Sequence, residues 1–214
     1  MRGKHKIQLA DFNRMAILTS SNALFLSRGI EGTTMEDIAY SVGFSKTTLY
    51  TYFENKQHIL DHLIFEAITH FHQKIIQIAS QQSSFREFFL QLCHALLTLH
   101  DTESAYFPGI TGNITGSEKK TEDSKIAVNI RITAEKINHL IATRFTAAVE
   151  KKEIELNAPV ADIMMLFWLC LSGLVEKSSP KETCFLQHLD KDRTLFLNFA
   201  FEALLSIIEK ESNR

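Results

Sequence analysis

Apolar residues recur along this chain at spacings of three and four, and almost nowhere in the alternation of a half-buried strand. Ile17, Ser21, Leu24 and Phe25 stand at i, i+4, i+7 and i+8, which predicts a helix over 11–28 that stops at Gly29. Two short helices over 35–41 and 46–53 complete a compact three-helix head. A fourth helix starts near residue 55 and carries Ile59, Leu60, Leu63, Ile64, Ala67, Ile68, Phe71, Ile75 and Ile78 inward as far as 79. It is too long for the head alone, so it leads the chain into a second domain. Further helices are predicted over 85–100, 124–152, 159–177 and 193–210. Residues 81–84 form a polar break, and 101–123, with Pro108 and three glycines, read as the main irregular stretch. Within it Phe107, Pro108 and Ile110 can hold a short helix against the core. The expected fold is all-α, with a head over 1–54 and a larger helical domain over 55–214.

The segment from Thr33 to Lys56 has the layout of a helix-turn-helix. Thr34 can cap a helix with an acidic first turn, because its hydroxyl satisfies backbone donors that have no partner inside the helix. Ile38, small Ala39 and Val42 face inward, and Gly43 accepts the left-handed backbone of a tight turn. Ser45 can cap the next helix, from which Leu49 and Tyr52 or Phe53 return to the core. Lys46, Thr47, Thr48 and Tyr50 are left on an outer face rich in hydrogen-bond donors, suited to base edges and phosphates. The plainer alternative is a helical hairpin with a solvated polar face. Five coincident requirements favour DNA: two caps, a small packing residue, a turn glycine and a non-acidic outer face.

At 214 residues and 45% hydrophobic the chain can bury a substantial core. Three prolines and eight glycines leave room for long helices. A net charge of −2 argues against a general polyanion binder, so positive charge must be local. Arg2, Lys4, Lys6 and Arg14 precede or open the first helix, while Lys46 and Lys56 flank the second helix of the motif. Cys93, Cys170 and Cys184 are an odd set without metal-ligand spacing, and read as reduced thiols of a cytoplasmic protein. No secretory signal or membrane-spanning run is apparent, and the sequon at Asn113 reads as a chance match.

The last two helices are apolar on nearly every side. Met164, Phe167 and Leu171 on one and Phe196, Phe199 and Leu204 on the other are therefore candidates for a homodimer interface, the alternative being a core within one chain. Aromatic residues between them and the fourth helix suit an apolar cavity for a hydrophobic small molecule, with Phe65, Phe89, Tyr106, Phe107 and Trp168 as candidate lining residues and His94 and His139 as polar fixtures. Packing is the simpler role for each of them. His58, His62 and Glu66 lie one turn apart on the fourth helix, but one helix converges such groups poorly and no cysteine partner is near, so no metal is expected. The chain holds no Gly-rich phosphate loop, nucleophile elbow or zinc-hydrolase pattern, and the reading is of a protein that is not an enzyme and uses no cofactor.

With those residues in view, the segment ILTSSNALFLSRGIEGTTMEDIAYSVGFSKTTLYTYFENKQHIL resembles the tetracycline-repressor (TetR) family of bacterial transcription regulators. Gly29, Thr33, Thr34, Ile38, Ala39, Val42, Gly43, Ser45, Leu49, Tyr50, Tyr52, Phe53, Lys56 and Leu60 carry the resemblance. It implies a head that inserts its third helix into the major groove and a C-terminal domain that dimerises and holds an effector. Carried to matching positions, it assigns base contacts to Lys46, Thr47 and Thr48, and phosphate contacts to Thr34, Ser45, Tyr50, Tyr52 and Lys56, with Thr33 counted on the same surface. Many members have glycine where this chain has Thr47, so its operator can differ from theirs. The expected activity is that of a ligand-responsive regulator, a repressor in the first instance, binding a palindromic operator as a homodimer. A helical factor that uses its head for protein contacts is the rival.

Overall fold

The computed structural model describes residues 2–116, 124–179 and 192–208, with side chains from Gln8 onward. Nine α-helices make up its regular structure, with no β-strand among the described residues. They are α1 (Arg2–Arg28), α2 (Met35–Val42), α3 (Lys46–Tyr50), α4 (Lys56–Ala79), α5 (Phe85–Glu103), α6 (Phe107–Thr115), α7 (Lys125–Glu150), α8 (Val160–Lys177) and α9 (Arg193–Ser206). None is long and apolar enough to cross a membrane among the described residues.

Helices α1 to α3 form the head. Ile17, Phe25, Ile38, Leu49 and Phe53 are buried at its centre, each stabilising the fold by about 1.5–3 kcal/mol. Helix α4 packs against α1 at one end and along α7 and α5 for the rest of its length. The apolar core therefore runs without a break from the head into the body. In the body, Phe85 and Phe145 meet edge to face at 4.8 Å, and Phe89 and Phe167 at 5.2 Å, geometries that aromatic quadrupoles favour. Helices α8 and α9 pack on α5 from the far side.

Several boundaries differ from the sequence reading. Helix α1 starts at Arg2, nine residues before the predicted start at 11; the turns that precede its buried stripe contain no proline, and their one glycine, Gly3, lies in the first turn. Helix α3 stops at Tyr50, and the chain closes through Thr51 and Tyr52, whose N–H groups bond to the Thr48 and Leu49 carbonyls at 3.1 and 2.9 Å. Part of the stretch expected to be irregular is α6, which has Pro108 in its first turn and ends at Gly116 with φ 72°. The rest of that stretch, residues 117–123, lies outside the described residues, as do Cys184, the side chains of Arg2, Lys4 and Lys6, and the predicted end of the last helix at 209–210. Cys93 is buried and its thiol is pushed well up by burial, while Cys170 is half-buried. Asn113 lies within α6 and donates to the Gly109 carbonyl at 2.8 Å.

Candidate nucleic-acid interface

Each turn of the motif is fixed by short-range bonds that the residue types make possible. The Thr34 hydroxyl accepts from the Asp37 N–H at 3.1 Å, and the Asp37 carboxylate accepts from the Thr34 N–H at 2.8 Å. This reciprocal cap starts α2. The Thr34 hydrogen bonds hold the Asp37 carboxyl below its usual range, and Arg28 at 3.7 Å adds to the effect. Gly43 ends α2 at φ 72°, and the Phe44 N–H returns to the Ala39 carbonyl at 2.9 Å. Gly32 serves the turn before it, where a Cβ would stand 2.4 Å from the Arg28 carbonyl oxygen. Ser45 then caps α3, its hydroxyl accepting from the Thr48 N–H at 3.1 Å and lying 2.8 Å from the Thr48 hydroxyl.

Leu49 and Phe53 are fully buried, and their burial turns the opposite face of α3 outward. Ser45, Lys46, Thr47 and Tyr50 are exposed there, with Thr48 half-buried beside them. Tyr52 is half-buried, stacked at 6.4 Å on Phe44, and its hydroxyl accepts from Asn13 of α1 at 2.9 Å. Lys56 opens α4 and donates to the Ile30 carbonyl at 2.6 Å, with the Glu31 carboxylate at 3.9 Å. Thr33 does not share the outer face: it is buried, and its hydroxyl donates to the Gly29 carbonyl at 2.8 Å. One feature of this face went unread in the sequence, the ion pair between Glu36 of α2 and Lys46 of α3. Its only signal was a carboxylate left over once Asp37 had taken the cap. A short helix projecting hydroxyls, a phenol and an ammonium, with no buried apolar demand on that side, has the shape and the donors for a major groove.

The body departs further from expectation. An internal cavity of about 10 Å³ is lined by Phe89 and Trp168 together with Phe145, Met164, Phe167 and Leu171, among others. Met164, Phe167 and Leu171 thus line the core of a single chain and do not form an outer face. The outward apolar surface there consists instead of Met165, Leu166 and Leu169 on α8, Leu195 and Phe199 on α9 and Ile207 just after it, while Phe196 and Leu204 are half-buried. A helix with apolar residues on both sides gives no hydropathy contrast to say which side is inner. Tyr106 and Phe107 are buried, Tyr106 donating its hydroxyl to Glu103, and Phe65 is half-buried. None of the three reaches the cavity wall. His94 is exposed and bonds to the Leu90 carbonyl at 2.7 Å and to Asn198 at 3.2 Å, bracing α5 against α9. His139 is also exposed, on an open groove of about 480 Å³ between α4 and α7. Neither histidine reaches the cavity. The rings of His58 and His62 lie tilted to each other at 5.0 Å and both meet Phe53 edge to face, and no three metal-ligating groups are gathered among the described residues.

Comparison with known proteins accords with this geometry. Residues 17–63 match the family model described as bacterial regulatory proteins, tetR family. Tetracycline repressor proteins of class D from Escherichia coli and class H from Photobacterium damsela subsp. piscicida are each 30% identical over 95 residues, a match spanning 44% of this chain and 44% of each relative. Across the whole architecture the chain superposes on a protein of unknown function from Rhodococcus sp. RHA1 with TM-score 0.72 at 14% identity, covering 92% of this chain and 96% of the other. FadR from Bacillus subtilis in complex with stearoyl-CoA gives TM-score 0.64 at 17% identity, covering 90% and 97%. Escherichia coli NemR in its reduced form gives 0.65 at 15%, covering 94% and 98%. These likenesses establish the shared fold, and over residues 17–63 the head is also similar in sequence to the tetR family of bacterial regulatory proteins.

Proposed function

We propose that this protein is a ligand-responsive transcriptional repressor that binds a palindromic DNA operator as a homodimer and is released by a small hydrophobic effector. The observation that carries the reading is the outer face of the motif. Two capped helices hold Thr34, Ser45, Lys46, Thr47 and Tyr50 exposed on one side while the same helices bury Ile38, Ala39 and Leu49 on the other. Tyr52 and Lys56 stand at the margin, as backbone-positioning contacts would.

Apolar exposure on α8 and α9 supports pairing with a second copy, because exposed Leu166, Leu169, Leu195 and Ile207 need cover from water. Two heads joined in this way would read two half-sites at a spacing fixed by the dimer. The cavity wall is entirely apolar, which favours an effector without charge at that end. The FadR neighbour was solved with stearoyl-CoA, whose acyl chain is of that kind. At about 10 Å³ the cavity holds no such molecule as it stands. Effector binding would part the helices around it and shift the population toward a different separation of the heads through α4.

Selection of random duplex DNA by the purified protein at near-physiological salt tests the proposal. An enriched palindrome is the expected result. Retention without sequence preference would overturn the operator reading and favour protein contacts by the head.

A further inference from the structure

Two carboxylates open α2, and the fold employs only one of them in the cap. Asp37 completes the reciprocal cap with Thr34, so the helix start is satisfied without Glu36. The Glu36 side chain, 62% exposed, reaches across the turn to the ammonium of Lys46, itself 52% exposed. An exposed pair of this kind adds little to folding stability. Head stability therefore does not explain a carboxylate placed beside the first residue of α3. General affinity does not explain it either, since a carboxylate facing phosphates opposes binding.

Base edges give it a role. In the major groove a G·C pair presents the acceptors N7 and O6 of guanine beside the amino donor N4 of cytosine. An ammonium and a carboxylate held side by side are the complement of that array. An A·T pair fits the couple less well, because its single donor lies between two acceptors and its thymine methyl adds bulk. The pairing also restrains Lys46, drawing its ammonium toward Glu36 and away from the phosphate path that a free lysine can reach.

We infer that Glu36 is a specificity-determining residue that acts with Lys46 as a fixed couple, selecting one G·C pair in each half-site: Lys46 donates to guanine, and Glu36 accepts from the cytosine amino group. This rests on the reading of the head as operator-binding. The test compares the sequences enriched from random duplex DNA by the native protein, Glu36→Ala and Glu36→Gln, after melting curves show that both variants fold like the native chain. The native protein is expected to require G·C at one position per half-site. In Glu36→Ala discrimination at that position alone should fall about tenfold. In Glu36→Gln it should shift toward adenine, whose N6 and N7 suit a carboxamide. If Glu36→Ala keeps the native motif and binds every sequence more tightly, Glu36 is only a counter-charge and the inference is wrong. If the native protein enriches no motif, the operator reading itself fails, and the inference with it.

Discussion

Lys56 illustrates how one side chain can answer to two demands. Its ammonium donates to the Ile30 carbonyl, fastening the start of α4 to the turn that leads into α2, yet it lies beside the outer face of the motif. Lys56→Met keeps most of the stem and removes the donor, so urea unfolding should show a loss of about 1 kcal/mol, below the range for a buried charged hydrogen bond because solvent screens a partly exposed one. If Lys56 also meets a phosphate, the slope of log operator affinity against log salt should fall by about 0.9 per head, about 1.8 for the dimer. An unchanged slope would leave it the fastening role alone. His62 carries a second residue-scale prediction. Burial, then His58 and then Arg14 depress its pKa to about 4, and Arg14 and both imidazoles contact the Phe53 ring. A histidine whose folded pKa lies below the unfolded 6.5 contributes stability above pH 6.5 that is lost as pH falls toward 4. Melting temperatures of the native protein should therefore drop between pH 7 and 5, and His62→Gln should show a smaller drop. Equal drops would place the acid sensitivity elsewhere.

At the scale of elements, the caps mark what the sequence could convey. Thr34, Gly43 and Ser45 act on groups within a few residues of themselves, so residue type and spacing were enough to place α2 and α3. Thr34→Ala should cost about 1 kcal/mol of stability and lower operator affinity by loosening α2, whereas Thr34→Ser should restore both. Chemical denaturation of the pair measures this, and a Thr34→Ala curve that superposes on the native one would show the cap to be idle. The unread features join distant positions. Tyr52 to Asn13, Lys56 to Ile30 and Asp101 to Arg193 connect residues whose separation carries no periodic signal. Orientation failed for a different reason. On α8 the residues at 164, 167 and 171 face inward and those at 165, 166 and 169 face outward, but both sets are large and apolar, so hydropathy could locate the helix without saying how it is rotated. His94 and His139 stand away from the apolar cavity for a related reason, because an exposed histidine on an amphipathic helix has the same local sequence as one that turns inward.

Across the whole molecule, one continuous core joins a head with a polar outer face to a body that holds a small apolar cavity of about 10 Å³. Helix α4 spans both, with Lys56 at the head and buried Phe71 packed edge to face on Trp168 of the cavity wall at 6.3 Å. If the cavity is where an effector acts, changing its volume should be felt at the head. Leu171→Ala removes most of a wall side chain that is 2% exposed, and should destabilise the fold by about 2–5 kcal/mol because the surroundings only partly close on the space. An apolar cavity enlarged in this way stays dry and takes small apolar molecules such as benzene. Saturating benzene should therefore raise the melting temperature of Leu171→Ala and leave that of the native protein unchanged, since only a ligand that binds the folded state stabilises it. Operator affinity measured with and without benzene then decides the coupling. A change confined to Leu171→Ala would mean that filling the space between α5, α7 and α8 biases the heads. Stabilisation without any change in affinity would make the cavity a packing defect, and would direct the search for the effector site to the open groove between α4 and α7.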